Sequence, residues 1–440
     1  MIWRIVTTLS VLAAVSAKAE VLTLDQAVAL AVEHNRTLRN TALDLKKAED
    51  RVKATRSRQY PGFNLYALGS QQLQAYDFTL EKGILGTYPG TGPLPDHDVH
   101  LKSPLAPTGL MMAKVTQPLT SLIRLRRNID SLKTSAELSS EQLRADRLKV
   151  IRDVKQVYYA LQQVDSSLRS VAQTMALYRE LQRLTENYVA GAVVLKAELL
   201  DVQARVAKTA QTELVLRDQM TGGKEQLNQL LGREISADFE VQPILESAGA
   251  DLDLQAAREV AVRQRPEVRQ AQLRKQQATQ DWKAKRAEFI PDIAAEFNNV
   301  TLLNYGNFLP VQNSSVGLSL TWEVFDWGRK KHESEEKRRT IDQAGNAEKE
   351  AVNAVLVDVG SRYRQLRQSR SQLEVARLVQ ETAVESLRVT KNKYAVQAVL
   401  FRDVLQGQVN LEQSNTDYQQ ALLTFWNARA DFERALGEEQ

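Results

Sequence analysis

The chain has 440 residues, with 58 Lys+Arg against 54 Asp+Glu, four His, no Cys and 43% hydrophobic residues. A charged fraction of 25% and the lack of any run of the ~18 apolar residues that a spanning helix needs argue against a helical membrane bundle. The missing cysteine excludes disulfides, thiolate metal sites, a Cys nucleophile and a lipid-bearing N-terminal cysteine, and a formal charge of +4 is too small for this length to argue for nucleic acid.

Residues 1–19 read as a secretory signal peptide. Met1-Ile2-Trp3-Arg4 carries a positive charge, Ile5 to Ala17 is uncharged, and Ala17-Lys18-Ala19 is an Ala-x-Ala cleavage pattern before Glu20. The apolar run of about 13 residues is too short to serve as an anchor. Cleavage would remove Arg4 and Lys18, leaving 56 basic against 54 acidic residues, a net +2. Export also speaks against a nucleic-acid partner.

From Leu24 to Arg58 apolar residues recur at helical spacing, with Asp25 in the first turn, which predicts one helix of about 35 residues ended by Tyr60-Pro61-Gly62. A β segment is expected over Phe63–Tyr76. A loop follows from about Asp77 to Gly109; it holds Pro89, Pro93, Pro95, Pro104 and Pro107 and is expected to be irregular. Met111, Ala113 and Val115 alternate with Met112, Lys114 and Thr116 in a second β segment. From Ser121 to Tyr188 there is no proline or glycine, so a helix of ~68 residues, roughly 100 Å, is predicted. Val154, Val157, Leu161, Val164, Leu168, Val171, Met175 and Tyr178 are spaced alternately three and four apart, the seam of a coiled coil. A reversal at Val189-Ala190-Gly191-Ala192 sends the chain back to Leu231-Gly232.

The same order then recurs. Leu254 to Val268 repeats the pattern of Leu24 to Leu38 at an offset of 230, and Ile290-Pro291 repeats Tyr60-Pro61 at the same offset. Leu119 matches Phe325 and Tyr188 matches Tyr394 at an offset of 206, and Leu231-Gly232 matches Leu436-Gly437 at 205. The 24 residues lost between the first two offsets fall in the loop, which is only about Leu303 to Asn313 in the second half. Ile293, Ala295 and Phe297, then Val316, Leu318, Leu320, Trp322 and Val324, form the second pair of alternating segments. Leu356, Val359, Tyr363, Leu366 and Leu373 continue the helical seam, and Val396-Gln397-Ala398 is the second reversal. The organisation expected is therefore a signal peptide (1–19), a first repeat (20–232), an inter-repeat segment (233–253) and a second repeat (254–440).

Segments of about ten residues with one apolar face and aromatic ends (Tyr60, Phe63, Tyr76, Phe78, Phe289, Trp322, Phe325, Trp327) carry the pattern of transmembrane β-strands. Four strands leave two open edges, which lipid forbids, so such a chain must oligomerise to close a barrel. The sequence resembles the TolC-like outer-membrane efflux protein family across the mature chain. The resemblance rests on Leu22 to Asn35 with its repeat, on Val324-Phe325-Asp326-Trp327-Gly328-Arg329, and on Tyr188 to Gly191 followed by Glu198-Leu199-Leu200-Asp201. A looser copy of the last motif is Tyr394 to Gln397 followed by Asp403-Val404-Leu405-Gln406. This resemblance implies a mainly α protein with a transmembrane β portion, a homotrimer with a 12-stranded barrel continued by an α-helical periplasmic tunnel. It implies an outer-membrane exit duct of a tripartite efflux or type I secretion system in a Gram-negative bacterium. The partners would be a periplasmic adaptor, an inner-membrane pump reached through it, and outer-membrane lipid.

The resemblance also implies the site. Glu198, Asp201, Tyr394, Asp403 and Gln406 would lie at a periplasmic constriction, where threefold repetition makes rings of like charge that attract cations. Val189, Ala190, Gly191, Ala192, Val396, Gln397 and Ala398 would contact the adaptor. Gln406 stands where the family can carry a second aspartate, Gln397 replaces a turn glycine, and Val399 replaces the expected basic partner of Tyr394. No catalytic motif, cofactor or metal is expected, and Asp96-His97-Asp98-Val99-His100 reads as chance surface histidine. The competing readings are a periplasmic adaptor, which usually carries one hairpin, and a soluble coiled-coil structural protein, which does not explain the aromatic strand ends.

Overall fold

The computed structural model describes residues 20–71, 73–75, 77–102, 105–191, 195–243, 253–304, 311–396 and 398–438. The signal-peptide reading of residues 1–19 and much of the expected inter-repeat segment, residues 244–252, lie outside them.

The chain opens with β1 (Glu20–Leu22) and α1 (Leu24–His34). Thr23 caps α1 in a reciprocal arrangement with Gln26: the Thr23 hydroxyl accepts from the Gln26 amide, and the Gln26 side chain accepts from the Thr23 amide. The single helix expected from Leu24 to Arg58 is in fact two. Asn35 leaves the helical region with ψ 127°, and its side-chain oxygen accepts from the amides of Thr37 and Leu38 at 2.9 and 3.2 Å, capping α2 (Arg36–Ser57). A short polar side chain that serves free amides competes with helix continuation, and the apolar period runs across the break without recording it.

Next come β2 (Gly62–Gln71), β3 (Asp77–Leu80), β4 (Thr87–Tyr88), β5 (Gly92–Pro93), β6 (Val99–Lys102) and β7 (Pro107–Pro118). Here the expectation of an irregular loop fails. β3 pairs antiparallel with β6 and β4 with β5, and glycines at positive φ (Gly83, Gly86, Gly90, Gly92) make the tight turns among the prolines. Then follow α3 (Ser121–Ala190), α4 (Lys196–Leu231), β8 (Phe239–Val241), α5 (Leu254–Gln264), α6 (Pro266–Arg286), β9 (Asp292–Leu303), β10 (Gln312–Thr321), α7 (Arg329–Ala395) and α8 (Phe401–Leu436). The last strand stops at Thr321, so Trp322 and Val324, expected within it, lie beyond the ladder.

The described residues fall into two compact units. One comprises the residues up to Leu45, 139–271 and 347 to the C-terminus. Its β1 and β8 pair in parallel, Glu20 opposite Phe239. Around them Leu22, Ala27, Ala31, Val154, Tyr158, Leu227, Leu231 and Phe239 form an apolar core. The Tyr158 hydroxyl donates to the Leu22 and Gln242 carbonyls at 2.8 and 3.0 Å, and burial pushes its pKa up to about 12. A second core joins Ala257, Ala261, Val268, Val355, Val359, Phe432 and Leu436. Beside it lies a chain of ion pairs: Arg265 with Glu267 and Asp358, and Arg362 with Asp358 and Asp431.

The other unit, residues 46–138 and 272–346, holds a four-stranded antiparallel sheet of order β10-β9-β7-β2. Its register aligns Phe63, Val115, Phe297 and Val316 in one row across all four strands. This is the apolar face expected from the period of two. Phe63 is 78% exposed and Val316 82%, both on edge strands. The opposite face carries the row Asn64, Lys114, Asn298, Ser315, and Lys114 pairs with Glu296 at 2.9 Å.

Candidate functional site: the tips of the helical hairpins

Two helix reversals, α3 to α4 and α7 to α8, are the regions singled out by the sequence. α3 runs through Val189 and Ala190, which are therefore helical, and the turn begins at Gly191, whose amide donates to the Asn187 carbonyl at 3.0 Å. On the other side α7 ends at Ala395, Val396 lies in the turn, and the Ala398 amide donates to the Lys393 carbonyl at 2.9 Å. Ala192 and Gln397 lie outside the described residues.

Both returning helices start on a leucine. Leu195 and Leu400 occupy N-cap positions, where a side-chain oxygen is usual, and they are 74% and 63% exposed. Together with exposed Val396 they present apolar side chains to solvent at the turns. The sequence reading named Val396 but missed both leucines. Their signal was the absence of a capping residue ahead of two long apolar-periodic runs.

Asp403 is the third residue of α8, and its carboxylate accepts from the Leu400 amide at 3.0 Å. That bond and the helix dipole hold the acid at the helix start. Glu198 occupies the same place in α4 and is exposed. Asp201 is not a free carboxylate: the Arg205 Nε donates to it at 3.1 Å. Gln406 is exposed and donates to Asn410 at 3.0 Å. Tyr394 is half-buried; burial raises its pKa, and the nearby Tyr188 and the Glu198 carboxylate add to the rise. So Tyr394 of one reversal feels the charge of groups from the other.

Beneath the tips the first turns of α4 and α8 pack against the last turns of α3. Val202, next to Asp201, and Leu405, two residues past Asp403, share one apolar cluster with Tyr178 and Leu181. The buried Tyr178 hydroxyl belongs to a polar group the sequence did not reveal. Burial first, then a hydrogen bond with Glu412, pushes Tyr178 up to about 12. Burial opposes the charge on Arg205, but its bonds to Asp201 and Tyr178 outweigh this and hold it above its ordinary value. Asp201, Arg205, Tyr178 and Glu412 thus link three helices, a relation set by packing and invisible in any one segment.

Next to this group α3, α4 and α8 leave a groove of about 400 Å³, lined with hydroxyl and amide side chains such as Thr174, Thr209, Thr212 and Asn415. Part of the α3 seam borders it. Val154, Leu161, Met175 and Tyr178 are buried, whereas Val164, Leu168 and Val171, on either side of the groove-lining Ser167 and Ser170, are only half-buried.

Elsewhere the His97 ring sits 2.5 Å from Asp96, and His100 is 2.7 Å from the Thr79 hydroxyl, so the two histidines turn to different partners. Among the described residues no group of three or more His, Cys, Asp or Glu is placed to hold a metal, and no helix is long and apolar enough to cross a membrane.

The order of elements, the exposed strand row and the paired helical hairpins define a channel-type fold, and comparison with known proteins places it. The outer membrane efflux protein family model matches residues 27–233 and 257–438, and the chain belongs to this family. An uncharacterized protein of Haemophilus influenzae is 20% identical over 310 residues, 68% of this chain and 65% of its own length, so the match spans just under two thirds of that relative. Outer membrane protein OprJ of Pseudomonas aeruginosa is 23% identical over 383 residues, 83% of this chain and 74% of its own. Among solved structures, a membrane protein from Pseudomonas aeruginosa has a TM-score of 0.77 at 20% identity, covering 94% of this chain and 90% of its own. The Campylobacter jejuni CmeC outer membrane channel has a TM-score of 0.76 at 15% identity, covering 94% and 85%.

Proposed function

We propose that the chain is an exported outer-membrane exit duct, acting as a homotrimer in a tripartite efflux or type I secretion assembly. In this reading each of three copies contributes its four strands to a 12-stranded barrel, and the helices continue it as a periplasmic tunnel. The observation that carries the reading is the sheet itself. Its apolar row is exposed at Phe63, Phe297 and Val316, the opposite face carries the polar row Asn64, Lys114, Asn298 and Ser315, and both edges, β2 and β10, lack partners among the described residues. In lipid those edges must be closed by further copies, while the polar row with Lys114 and Glu296 suits a water-filled lumen. The names of OprJ and of CmeC, an outer membrane protein and an outer membrane channel, support the same location for this chain.

The two tandem repeats, with boundaries at residues 20–232 and 254–440, and cleavage after Ala19 belong to this proposal. So does the role of the tips. Asp403, Glu198 and Asp201, repeated three times, form acidic rings at the periplasmic end. Val189, Ala190, Gly191, Ala192, Val396, Gln397 and Ala398 meet an adaptor that couples the duct to an inner-membrane pump. The exposed Leu195 and Leu400 join that surface.

Detergent extraction from outer membranes followed by planar-bilayer recording tests the duct: a trimer-sized conductance is expected, and a detergent-free monomer without conductance would sink it. For the ring, Asp403→Ala should lower cation selectivity, read as a shift in reversal potential under a salt gradient. An unchanged potential would remove Asp403 from the pore. Asp201→Ala should shift it less, because Arg205 already offsets that charge.

A further inference from the structure

Arginines in the second half of α7 follow a rule. Arg362 pairs with Asp358 at 3.4 Å, Arg370 with Glu374 at 3.7 Å, Arg377 with Glu381 at 3.3 Å and Arg388 with Glu385 at 2.6 Å, each three or four residues apart. In α5, Arg263 pairs with Glu259 at 3.3 Å in the same way. Arg258, Arg364 and Arg367 break the rule, and the first two meet in space. Arg364 has Gly360, Ser361, Arg367 and Gln368 at those positions, and Arg258 has Leu254, Gln255, Ala261 and Val262. Neither has an acidic partner among the described residues.

These two side chains converge over Gly360. A β-carbon built there would lie 3.2 Å from the Arg258 Nη2 and 3.4 Å from the Arg364 Nη1. The two guanidinium nitrogens are therefore no more than the sum, 6.6 Å, apart. The Arg258 Nε is buried without a hydrogen-bond partner. The acids next to them in sequence are committed elsewhere: Asp358, two residues before Gly360, to Arg265 at 2.7 Å and to Arg362, and Glu259, beside Arg258, to Arg263. Two like charges this close repel, and an unsatisfied buried donor adds to the cost. A glycine inside a long helix also weakens it. An anion seated between the guanidiniums would offset the repulsion and give the buried donor a partner, and the glycine keeps the space between them clear of a side chain.

The first half of the chain sharpens the point. At the offsets of 230 and 206 read from the sequence, Arg258, Gly360 and Arg364 correspond to Val28, Val154 and Tyr158. There Val154 and Tyr158 are fully buried and Val28 packs against the same apolar cluster. A closed apolar contact in one half is thus an open, doubly cationic one in the other.

We propose that Arg258 and Arg364, with Gly360 as the floor between them, bind a phosphate-type oxyanion. Paired guanidiniums offer several charge-assisted N–H donors in fixed planes, which matches the oxygens of a phosphate better than any monovalent halide. The phosphate is either free or carried on a larger molecule such as a lipid headgroup.

The test uses the full chain purified in a phosphate-free sugar detergent. Inorganic phosphate is titrated against chloride at equal ionic strength, with the unfolding midpoint and calorimetric heat as readouts, and protein-bound phosphorus is assayed before titration. A free-phosphate site gives a saturable rise of the midpoint that chloride does not give. A retained headgroup instead gives about one bound phosphorus per chain at the outset. In either case Arg364→Gln and Arg258→Gln should weaken the signal at least tenfold. Gly360→Ala, which places a methyl against the Arg258 Nη2, should weaken it several-fold. Arg364 is exposed, so its variant keeps the test decisive if Arg258→Gln folds poorly. No phosphate-specific rise and no retained phosphorus, or an equal signal in the wild type and both arginine variants, would overturn the proposal.

Discussion

The chain solves one packing problem twice with different chemistry. At Asn35 and at Arg265 a short helix hands over to a longer one, and in each place the end of a returning helix leans on the junction. Gly232, at φ +69°, caps α4 so closely that a β-carbon would stand 2.3 Å from the His34 carbonyl oxygen. Gly437, at φ +82°, caps α8, and there the β-carbon would stand 3.2 Å from the Gln264 carbonyl. The first junction is held by a neutral side chain: the Asn35 amide donates to the Leu230 carbonyl at 2.8 Å. The second is held by a cation that is only 7% exposed, Arg265, bonded to Glu267 at 2.9 Å and to Asp358 at 2.7 Å. A neutral cap is insensitive to its surroundings. A buried charge works only while its counter-ions are in place.

The sharpest way to break this comparison is at the two glycines. Gly232→Ala should cost about 4 kcal/mol, because both the positive φ and a backbone oxygen oppose a methyl. Gly437→Ala should cost only about 1–2 kcal/mol, mostly from φ. Unfolding midpoints of the two variants check the ranking, and equal losses would show that the 2.3 Å approach relaxes freely. Next, Arg265→Met should cost about 2 kcal/mol. The full penalty for orphaning buried charges is larger, but Glu267 and Asp358 both reach solvent and are screened. Asn35→Ala should cost about 1 kcal/mol, the loss of one cap. If the order of these two were reversed, the ion network would be ornament to the junction and not its support.

The smallest effect is that of pH. Burial works to raise the pKa of Asp358, but the hydrogen bond and charge of Arg265 outweigh it and hold the carboxyl below its usual value. A depressed carboxyl contributes stability above its unfolded pKa, about 3.9, and loses it as pH falls through the lower folded value. The second junction should therefore loosen in acid below about pH 4 while the first, with no carboxylate in its cap, does not. Amide exchange in α5 and α6 against α1 and α2 over that range reads the difference.

Much of this was legible in the sequence where the signal is periodic and local. The end of α3 was expected at Tyr188 and lies at Ala190, because an unbroken apolar period stops where a glycine does. The strand row through Phe63 and Val316 followed from a period of two. Features carried by single residues or by distant pairs were lost. The helix break at Asn35 has no period, although its counterpart was marked by Pro266, which suits a first helical position. The β1–β8 pair joins three-residue segments that alternate too briefly to be seen. At the tips, Asp403 was readable as an acid near a helix start, but its bond to the Leu400 amide was not. The group made by Arg205, Tyr178 and Glu412 exists only once three helices pack.

If the proposed barrel is built from several copies, its sheet edges dictate how they join. Three antiparallel steps separate β10 from β2, so the two edges run in opposite directions and differ in sequence. One copy's β2 can therefore receive the next copy's β10 in the same antiparallel sense, head to tail, and no copy can satisfy its own edges. In the proposed barrel such a chain would grow like a polymer whose finished product is a ring. A subunit with one ruined edge would still join through its sound one and leave the ring unclosed. A minority of edge-defective chains should then spoil more than its share of assemblies, making such mutations dominant over wild type.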